Sequence, residues 1–281
     1  MPELPEVETI KRYLQKAIVG KTIIGVEVLS EKQFPDNPKQ VIGQKILAVD
    51  RRAKVLIMRL SNEKSLLAHL KLSGQLIWAK EAGKMAVLKN EIPFAGKELP
   101  AKTTRVVISL NNGKLFFNEM RKFGWIKILN QNQLDEALKK FGPEPFTKDF
   151  SVSYLKEIFQ KTSKPIKLVL MDQEKIAGIG NIYANESLFK AKINPARPAK
   201  GLIVSEIQKL RQAILQVLRQ GIKYGGASDV FNVKPDGSKG SYQEHFLVYG
   251  QKGKKCQRCQ TVIERITIDG RGTFFCPKCQ R

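Results

Sequence analysis

The chain opens with Met1-Pro-Glu-Leu-Pro-Glu-Val-Glu8, and this stretch leads directly into an amphipathic segment. Apolar side chains recur at helical spacing over residues 6–18, so one face of a helix is expected to pack on a core. Pro5 lies at the start of that helix, where proline is tolerated best, and Gly20 ends it. The fold is therefore expected to begin with a helix that covers a core supplied by the residues after it.

The same stretch carries reactive groups. Loss of Met1 would leave Pro2 with a secondary amine, which attacks an aldehyde carbon to give an iminium that acts as an electron sink. An α-amino group titrates at about 7.7–8.0, far below lysine, so more of it is neutral at working pH. Glu3 adds a carboxyl group that is able to move protons. On these residues alone, ordinary helix-start chemistry is the more common explanation, and the rest of the chain must decide.

Short β-rich segments separated by turns dominate residues 22–128, which favours a sandwich or a barrel. The predicted strands are 23–29, 45–50, 54–60, 65–70, 74–78, 105–110, 114–117 and 125–129. Asn112-Gly113 is a hairpin turn signal, whereas residues 79–102 are expected to form a loop.

Helical patterns take over after residue 150. The predicted helices are 153–160, 166–171, 182–190 and 205–223. Gly178-Ile-Gly180 precedes one of them and is able to cradle a phosphate, although it matches neither a Walker nor a Rossmann fingerprint. Residues 225–245 form a long polar loop, and loops of that length are usually functional lids or disordered.

The cysteines follow the spacing C-x2-C-x16-C-x2-C, at Cys256, Cys259, Cys276 and Cys279. In a cytosolic chain this spacing predicts one tetrahedral zinc ion, with disulfides or free thiols as the less favoured alternative. Four thiolates leave no open position for a substrate, so the zinc is expected to be structural. The intervening residues predict two strands joined by Asp269-Gly270.

The charge balance points to a polyanionic partner. The 281 residues include 49 Lys and Arg against 26 Asp and Glu, which gives a net charge of +23. Nucleic acid is the most common partner of such a chain, and an anionic membrane surface is the competing one. No apolar run reaches the roughly 18 residues that span a bilayer, and no signal peptide is apparent, so we expect a cytoplasmic protein.

Together these features resemble the formamidopyrimidine-DNA glycosylase family, which also contains the endonuclease VIII enzymes. The residues that carry the resemblance follow the order of the family along the whole chain. They are Met1–Glu8, Arg51–Lys54, Gly142–Pro145, Leu170–Asp172, Gly178–Ala184, Val248–Gly253 and the four cysteines. Leu4 and Val7 resemble the formamidopyrimidine branch, because the endonuclease VIII branch usually has glycine after Pro-Glu.

The resemblance implies an α+β fold. Residues 1–130 would form an N-terminal catalytic β-sandwich domain with a leading helix, followed by a linker at 131–150. Residues 151–246 would form a helix-two-turn-helix domain whose loop caps the lesion, and residues 247–281 the zinc-finger hairpin. The implied partner is double-stranded DNA containing oxidised bases, bound by a monomer in the bacterial cytoplasm, at the nucleoid.

The implied activity is excision of oxidised purines, such as 8-oxoguanine and formamidopyrimidines, followed by strand cleavage through β- and δ-elimination. Pro2 would attack C1′ and form a Schiff base, while Glu3 would supply or accept the proton. Lys54 and Arg271 match family residues assigned to the elimination steps.

The resemblance also implies DNA contacts. Lys167 and Asn181 match phosphate contacts, and Arg121 and Phe123 match residues that fill and wedge the stack after a base is flipped out. The chain departs from the family at three DNA-facing positions. Leu72 stands where the family usually has methionine, Glu119-Met120 replaces an Asp-Pro pair, and Thr103 replaces a histidine. These departures concern lesion spectrum and opposite-base preference more than the reaction.

Two alternatives remain open. An endonuclease VIII-like enzyme would use the same mechanism on oxidised pyrimidines. A basic zinc-finger protein that binds DNA without catalysis would keep the charge and the finger but would have no use for Pro2 and Glu3.

Overall fold

The structure is a computed structural model that describes residues 1–80, 83, 85–228 and 231–281. The chain divides into two compact units, which we call the N-terminal unit (Met1–Leu138 and Tyr224–Gln243) and the C-terminal unit (Lys139–Lys223 and Glu244–Arg281). This division differs from the predicted segments, because residues 224–243 group with the N-terminal part and the zinc finger groups with the helices.

The N-terminal unit consists mainly of β-strands that follow one helix. Its elements are α1 (Leu4–Ile18), β1 (Ile23–Val28), β2 (Ile46–Arg52), β3 (Val55–Leu60), β4 (Ser65–His69), β5 (Gly74–Lys80), β6 (Ala86–Ile92), β7 (Gly96–Leu99), β8 (Thr104–Leu110), β9 (Gly113–Glu119) and β10 (Trp125–Leu129). A 3-10 turn at Pro38–Gln40 lies between β1 and β2.

The strands form a sandwich of antiparallel sheets. One sheet has the order β1-β8-β9-β5 and the other β10-β4-β3-β2. Leu76 and Phe117 from the first sheet share a buried apolar cluster with Met58 and Leu66 from the second. Such a shared cluster is what packs two sheets face to face, so the predicted sandwich is confirmed.

Helix α1 lies against this core through the side chains that the sequence pattern selected. Val7, Ile10 and Leu14 are buried in the same cluster. The helix begins with Glu3 as its N-cap residue, and the Glu3 N–H donates to Glu6 Oε2 at 2.7 Å. This hydrogen bond is one arm of a capping box, which supplies an acceptor to an amide that precedes the first intrahelical bonds.

The prediction that residues 79–102 form a loop is wrong. Strands β6 and β7 pair as an antiparallel hairpin within that range. Leu88 and Leu99 of the hairpin pack with Ile77 and Phe116 on the outer face of the β1-β8-β9-β5 sheet. The apolar side chains on that face are buried by the hairpin, and no local sequence pattern indicated a covering element there. Residues 81, 82 and 84 lie outside the described residues.

The C-terminal unit is mainly helical. It is preceded by helix α2 (Gln131–Lys139), whose last residue is the first of this unit and whose nine residues lie in the segment 131–150 that was expected to be a linker. The following elements are α3 (Val152–Gln160), α4 (Ile166–Met171), α5 (Asn181–Ala191), α6 (Val204–Lys223), β11 (Glu264–Ile268) and β12 (Arg271–Phe275), with 3-10 turns at Ala199–Gly201 and Tyr242–His245. Among the described residues, no helix is both long and apolar enough to cross a membrane.

Strands β11 and β12 form the hairpin of the finger. They pair antiparallel, with Ile268 opposite Arg271. Asp269 and Gly270 both have positive φ, at 47° and 69°, as the predicted two-residue turn requires. The hairpin and the cysteine loops share an apolar cluster with Phe189 of α5, so the finger packs on that helix.

Candidate functional site

Pro2 and Glu3 lie at the N-terminal end of α1, and both are buried. The Glu3 backbone is held on both sides, because its N–H donates to Glu6 Oε2 at 2.7 Å and its carbonyl accepts the Val7 N–H at 3.0 Å. The positive end of a helix dipole disfavours a charged amine beside it. The sequence-predicted nucleophile and proton carrier therefore share one buried, ordered helix start.

Glu6 ties this helix start to a distant loop. Its second oxygen, Oε1, accepts the N–H of Ala227 at 2.8 Å. Gly226 has φ +81°, and a Cβ atom there would lie 2.8 Å from Glu6 Cγ, so only glycine fits. Sequence reasoning missed Glu6. The capping-box spacing signalled its contact with Glu3, but no local signal indicated Ala227.

Residues 224–243, which we call the capping loop, are anchored to the N-terminal unit at further points. The Trp78 N–H donates to Pro235 O at 2.8 Å, and Gln75 Nε2 donates to Phe231 O at 2.8 Å. The ring of Phe231 stacks on Phe94 at a centroid distance of 5.0 Å. The described part of the loop is thus held at several places. Residues 229 and 230 lie outside the described residues.

Lys54 lies in the turn between β2 and β3 and is only 5 % exposed. Arg51 orders this turn, because it donates to Ala53 O at 3.0 Å and to Glu8 Oε2 at 3.1 Å. Burial raises the pKa of Glu8, but the hydrogen bonds and charges of Arg12 and Arg51 outweigh it and hold that pKa below its ordinary value. The Glu8–Arg51 pair therefore fixes the Lys54 turn to α1, the helix that carries Glu3.

Residues 120–124, which we call the wedge turn, present a cation and a ring together. Arg121 and Phe123 are both exposed, and the Arg121 guanidinium lies 5.3 Å from the Phe123 ring centroid. Lys122 between them has φ 56°, a left-handed conformation that turns the chain sharply. An apolar ring and a guanidinium at a turn tip suit insertion between bases.

Leu72 lies in the turn formed by residues 70–73, and its side chain is half-buried. By the resemblance, this position fills the void that a flipped base leaves, so we call residues 70–73 the void turn. Thr103 is also half-buried, and its carbonyl accepts the Glu119 N–H at 2.8 Å. The predicted DNA-facing residues Leu72 and Thr103 are thus in the same unit as Arg121 and Phe123. Their roles remain predictions.

In the C-terminal unit, Lys167 is fully buried. Its ammonium donates to Gly272 O at 2.8 Å and to Thr273 Oγ1 at 2.7 Å. Arg271, which precedes Gly272, is the first residue of β12 and is exposed. Lys167 therefore holds the strand that presents Arg271, a role that sequence reasoning missed. Its predicted contact with a phosphate stays a prediction.

Arg271 also borders a cavity of about 520 Å³ beside α4. Lys164 and Lys175 line it together with Asp172 and Asp269, and Lys175 pairs with Asp172 at 3.8 Å. The lining therefore contains three cationic side chains, including Arg271, and two carboxylates.

Asn181 is the first residue of α5 and is half-buried. The glycine turn before it is ordered by Gln173, which accepts the Gly178 N–H at 2.9 Å and donates to Ile179 O at 2.8 Å. Gly178 has φ +98°, which favours glycine there. The glycine turn thus leads directly into the start of α5, and binding of a phosphate there stays a prediction.

Glu186 of α5 is a second buried carboxylate that sequence reasoning missed. It accepts the N–H groups of Leu247, Val248 and Tyr249 at 2.8–3.0 Å. Burial raises the pKa of Glu186, while these three donors act in the opposite direction. Glu186 fixes the segment that leads into the finger.

The four cysteines converge as their spacing predicted. Their Sγ atoms all lie within 4.8 Å of one another, at 3.9 Å for Cys256–Cys279 and 3.4 Å for Cys259–Cys276. Zn–S bonds of about 2.3 Å place tetrahedral sulfur ligands about 3.8 Å apart. The distances fit zinc and exceed a disulfide bond of about 2.05 Å. The cysteines form the site of one structural zinc ion.

Family models cover most of the chain. The formamidopyrimidine-DNA glycosylase N-terminal domain matches residues 1–126, and the H2TH (helix-two-turn-helix) domain of the same family matches residues 141–232. A zinc finger found in FPG and IleRS matches residues 253–281. The predicted presence of a helix-two-turn-helix domain and of a C-terminal zinc finger is thereby confirmed.

Individual relatives and solved structures match over nearly the full length. A formamidopyrimidine-DNA glycosylase of Chloroflexus aurantiacus is 41% identical over 100% of this chain and 98% of its own. The complex of Lactococcus lactis Fpg with abasic-site DNA has a TM-score of 0.87 at 36% identity, covering 99% of both chains. MutM in complex with DNA containing carbocyclic 8-oxo-G has a TM-score of 0.87 at 36% identity, covering 100% of both. With the Pro2–Glu3 helix start and the cysteine site described above, these matches show that the chain belongs to the formamidopyrimidine-DNA glycosylase family.

Proposed function

We propose that the protein is a bifunctional DNA glycosylase and abasic-site lyase that excises oxidised purines and then cleaves the strand. The observation that carries the proposal is the buried Pro2–Glu3 pair at the start of α1, to which Glu6 anchors the capping loop. A nucleophile, a proton carrier and a loop that is able to cover a base then belong to one assembly.

The reaction begins at Pro2 once Met1 has been removed. The neutral amine forms a bond to C1′ while the bond from C1′ to the damaged base breaks, and the base leaves with the electron pair and takes up a proton. The amine loses its proton, the sugar ring opens as O4′ is protonated, and an iminium remains. Glu3, buried beside Pro2, is the group that carries protons in these steps.

Strand cleavage follows from the iminium. Its positive charge acidifies the C2′ proton, so removal of that proton expels the 3′ phosphate in a β-elimination. A second, δ-elimination expels the 5′ phosphate and leaves a one-nucleotide gap. We assign Lys54 and Arg271 to these steps. The buried Lys54 lies in a turn tied to α1, and the exposed Arg271 lies beside other cations.

The substrate class is supported by the relatives. Curated relatives are named for formamidopyrimidine, and the similar MutM structure holds DNA containing an 8-oxo-G analogue. Leu4 and Val7 resemble the same branch of the family. Arg121, Phe123 and Leu72 would fill the space of the flipped nucleotide, and the net charge of +23 would hold the phosphates. The protein would act as a monomer in the bacterial cytoplasm.

Borohydride trapping tests the proposal. The protein with Met1 removed is incubated with a duplex containing 8-oxoguanine opposite cytosine, and the linked peptide is mapped by mass. We expect a covalent adduct on Pro2, its loss in Pro2→Gly, and a large fall in base excision in Glu3→Gln. An adduct formed only with thymine glycol would assign oxidised pyrimidines instead. Tight DNA binding without an adduct on either duplex would identify a non-catalytic binder.

A further inference from the structure

The void turn and the wedge turn are joined by one buried carboxylate, that of Glu119. Glu119 is the last residue of β9, lies opposite Gly74 and is fully buried. Its Oε1 accepts the Ser73 hydroxyl and also the Arg121 N–H at 3.0 Å. Its Oε2 accepts the Gly124 N–H at 2.8 Å. One side chain thus holds both ends of the wedge turn and the last residue of the void turn.

The wedge turn is shaped around this carboxylate. A Cβ atom on Gly124 would lie 2.6 Å from Glu119 Oε2, so glycine is required there for close approach. Arg105 donates to the Glu119 carbonyl at 2.8 Å and fixes its backbone. Gln33 donates to Lys122 O at 3.0 Å and holds the tip from the other side. The wedge turn is therefore set by side-chain hydrogen bonds as well as by its own backbone.

The sequence around Glu119 makes these hydrogen bonds more important. The next residue is Met120, which by the resemblance described above takes the place of a proline that follows aspartate. Proline fixes φ at about −65°, whereas the backbone of methionine restricts φ less at the entry to the turn. Hydrogen bonds to a carboxylate are stronger than those between neutral groups, so they are able to supply the order that the backbone lacks.

We propose that Glu119 is a positioning residue that fixes the void turn and the wedge turn as one body, so that Leu72, Arg121 and Phe123 enter duplex DNA in register. The inference rests on the proposed function, because it takes the two turns to be the parts that insert into the stack. It predicts that Glu119 matters for duplex substrates, in which a flipped nucleotide leaves a void, and not for single-stranded ones.

The test uses the full-length, zinc-loaded protein with Met1 removed, as wild type, Glu119→Gln and Ser73→Ala. Glu98→Gln is the matched control, since Glu98 is an exposed residue of β7 in the same unit. The single-turnover rate of borohydride trapping is measured on one abasic oligonucleotide, both single-stranded and in a duplex. A 2-aminopurine opposite the abasic site reports insertion of the wedge turn.

In Glu119→Gln an amide NH2 replaces one acceptor and faces a donor, so we expect duplex trapping to fall about tenfold and the 2-aminopurine response to shrink. Ser73→Ala should lower duplex trapping by a smaller factor, about threefold, because Glu119 keeps its two amide donors. Trapping on the single strand should stay within about twofold of wild type in both variants, and Glu98→Gln should match wild type on both substrates.

An unchanged ratio of duplex to single-strand trapping in Glu119→Gln would overturn the inference. This holds whether both rates stay at the wild-type value or both fall by the same factor. If Glu119→Gln does not fold, the ratio for Ser73→Ala decides in the same way. Failure of the proposed function is visible separately, because the wild type would then form no trapped complex on either substrate, and this would overturn both.

Discussion

Ala227 donates its N–H to Glu6 Oε1 at 2.8 Å, across 221 positions of sequence. The other oxygen of the same carboxylate accepts the Glu3 N–H at 2.7 Å. Glu6 thus joins the capping loop to the residue that follows Pro2. Under the proposed function, the Glu6 side chain couples the position of the loop to the nucleophile.

This relationship predicts the behaviour of Glu6→Gln. The amide NH2 cannot accept a hydrogen bond, so either Glu3 or Ala227 loses its acceptor. Hydrogen bonds to charged groups contribute about 1.5–3 kcal/mol, so we expect single-turnover excision of 8-oxoguanine to fall about tenfold or more. Trapping on an abasic duplex should fall less, because that substrate has no base for the loop to cover.

The control for Glu6→Gln is Glu27→Gln, which makes the same chemical change on an exposed position of β1. It should leave both rates unchanged. An equal fall of Glu6→Gln on both substrates would contradict the link to the loop and would assign Glu6 to the helix start alone.

Removal of zinc should affect the two units differently. Without the ion, the four thiolates lose the bonds that join them, so we expect the finger to lose its hairpin and the presentation of Arg271. Trp78 and Trp125, the only tryptophans of the chain, both lie in the N-terminal unit. After chelation we expect DNA binding to be lost while tryptophan emission stays native, and zinc addition should restore binding. Unchanged binding with metal loss proven by assay would contradict a role of the finger in binding.

Lys167→Met distinguishes a buried tether from a phosphate-binding group. The variant keeps the side-chain length but leaves Gly272 O and Thr273 Oγ1 without their donor. We expect the free energy of unfolding of the C-terminal unit to fall by about 1–3 kcal/mol. The rate of strand cleavage should fall as well, because β12 presents Arg271. Lys161→Met, at an exposed pair with Glu157, should change stability by less than about 0.5 kcal/mol.

A purely phosphate-binding Lys167 would behave differently from a tether. Stability would then stay at the wild-type value, and the slope of log K against log salt would become shallower by about 0.9, the value for one phosphate that is no longer neutralised. Thermal unfolding and a salt series on the same variant decide between these outcomes.

The Glu8–Arg51 pair predicts a pH dependence of stability. The folded pKa of Glu8 lies below its ordinary value of 4.5, so the pair contributes stability above that pH and loses it as the pH falls through the folded pKa. At pH 7 we expect wild type to exceed Glu8→Gln by about 1 kcal/mol in the free energy of unfolding. The difference should shrink below pH 4.5 and vanish at lower pH.

Glu157→Gln is the control for the pH series, because its ion pair with Lys161 is exposed on both sides. It should track wild type across the whole range. A wild-type advantage over Glu8→Gln that persists unchanged below the folded pKa would show that packing, and not charge, carries the effect.

Most of the fold could be predicted from local patterns. The helical spacing after Glu6 predicted α1, and β-rich segments between turns predicted the sandwich strands. The β6–β7 hairpin could not be predicted, because its strands are formed to cover the outer face of a sheet assembled from distant residues. Helix α2 was not predicted, because the helix-breaking Gly-Pro-Glu-Pro sequence that follows it favoured a linker over the whole of residues 131–150.

The sequence by itself determined the chemistry that depends on neighbours along the chain. The cysteine spacing defines the zinc site, and Pro2 beside Glu3 defines the proposed nucleophile and proton carrier, because these relations persist in any fold. Only the tertiary structure decided the distant partners: Ala227 for Glu6, Ser73 for Glu119, and the Gly272 and Thr273 oxygens for Lys167. A buried charge needs polar partners to offset its lost hydration, and folding supplies these from segments that no local pattern pairs with it.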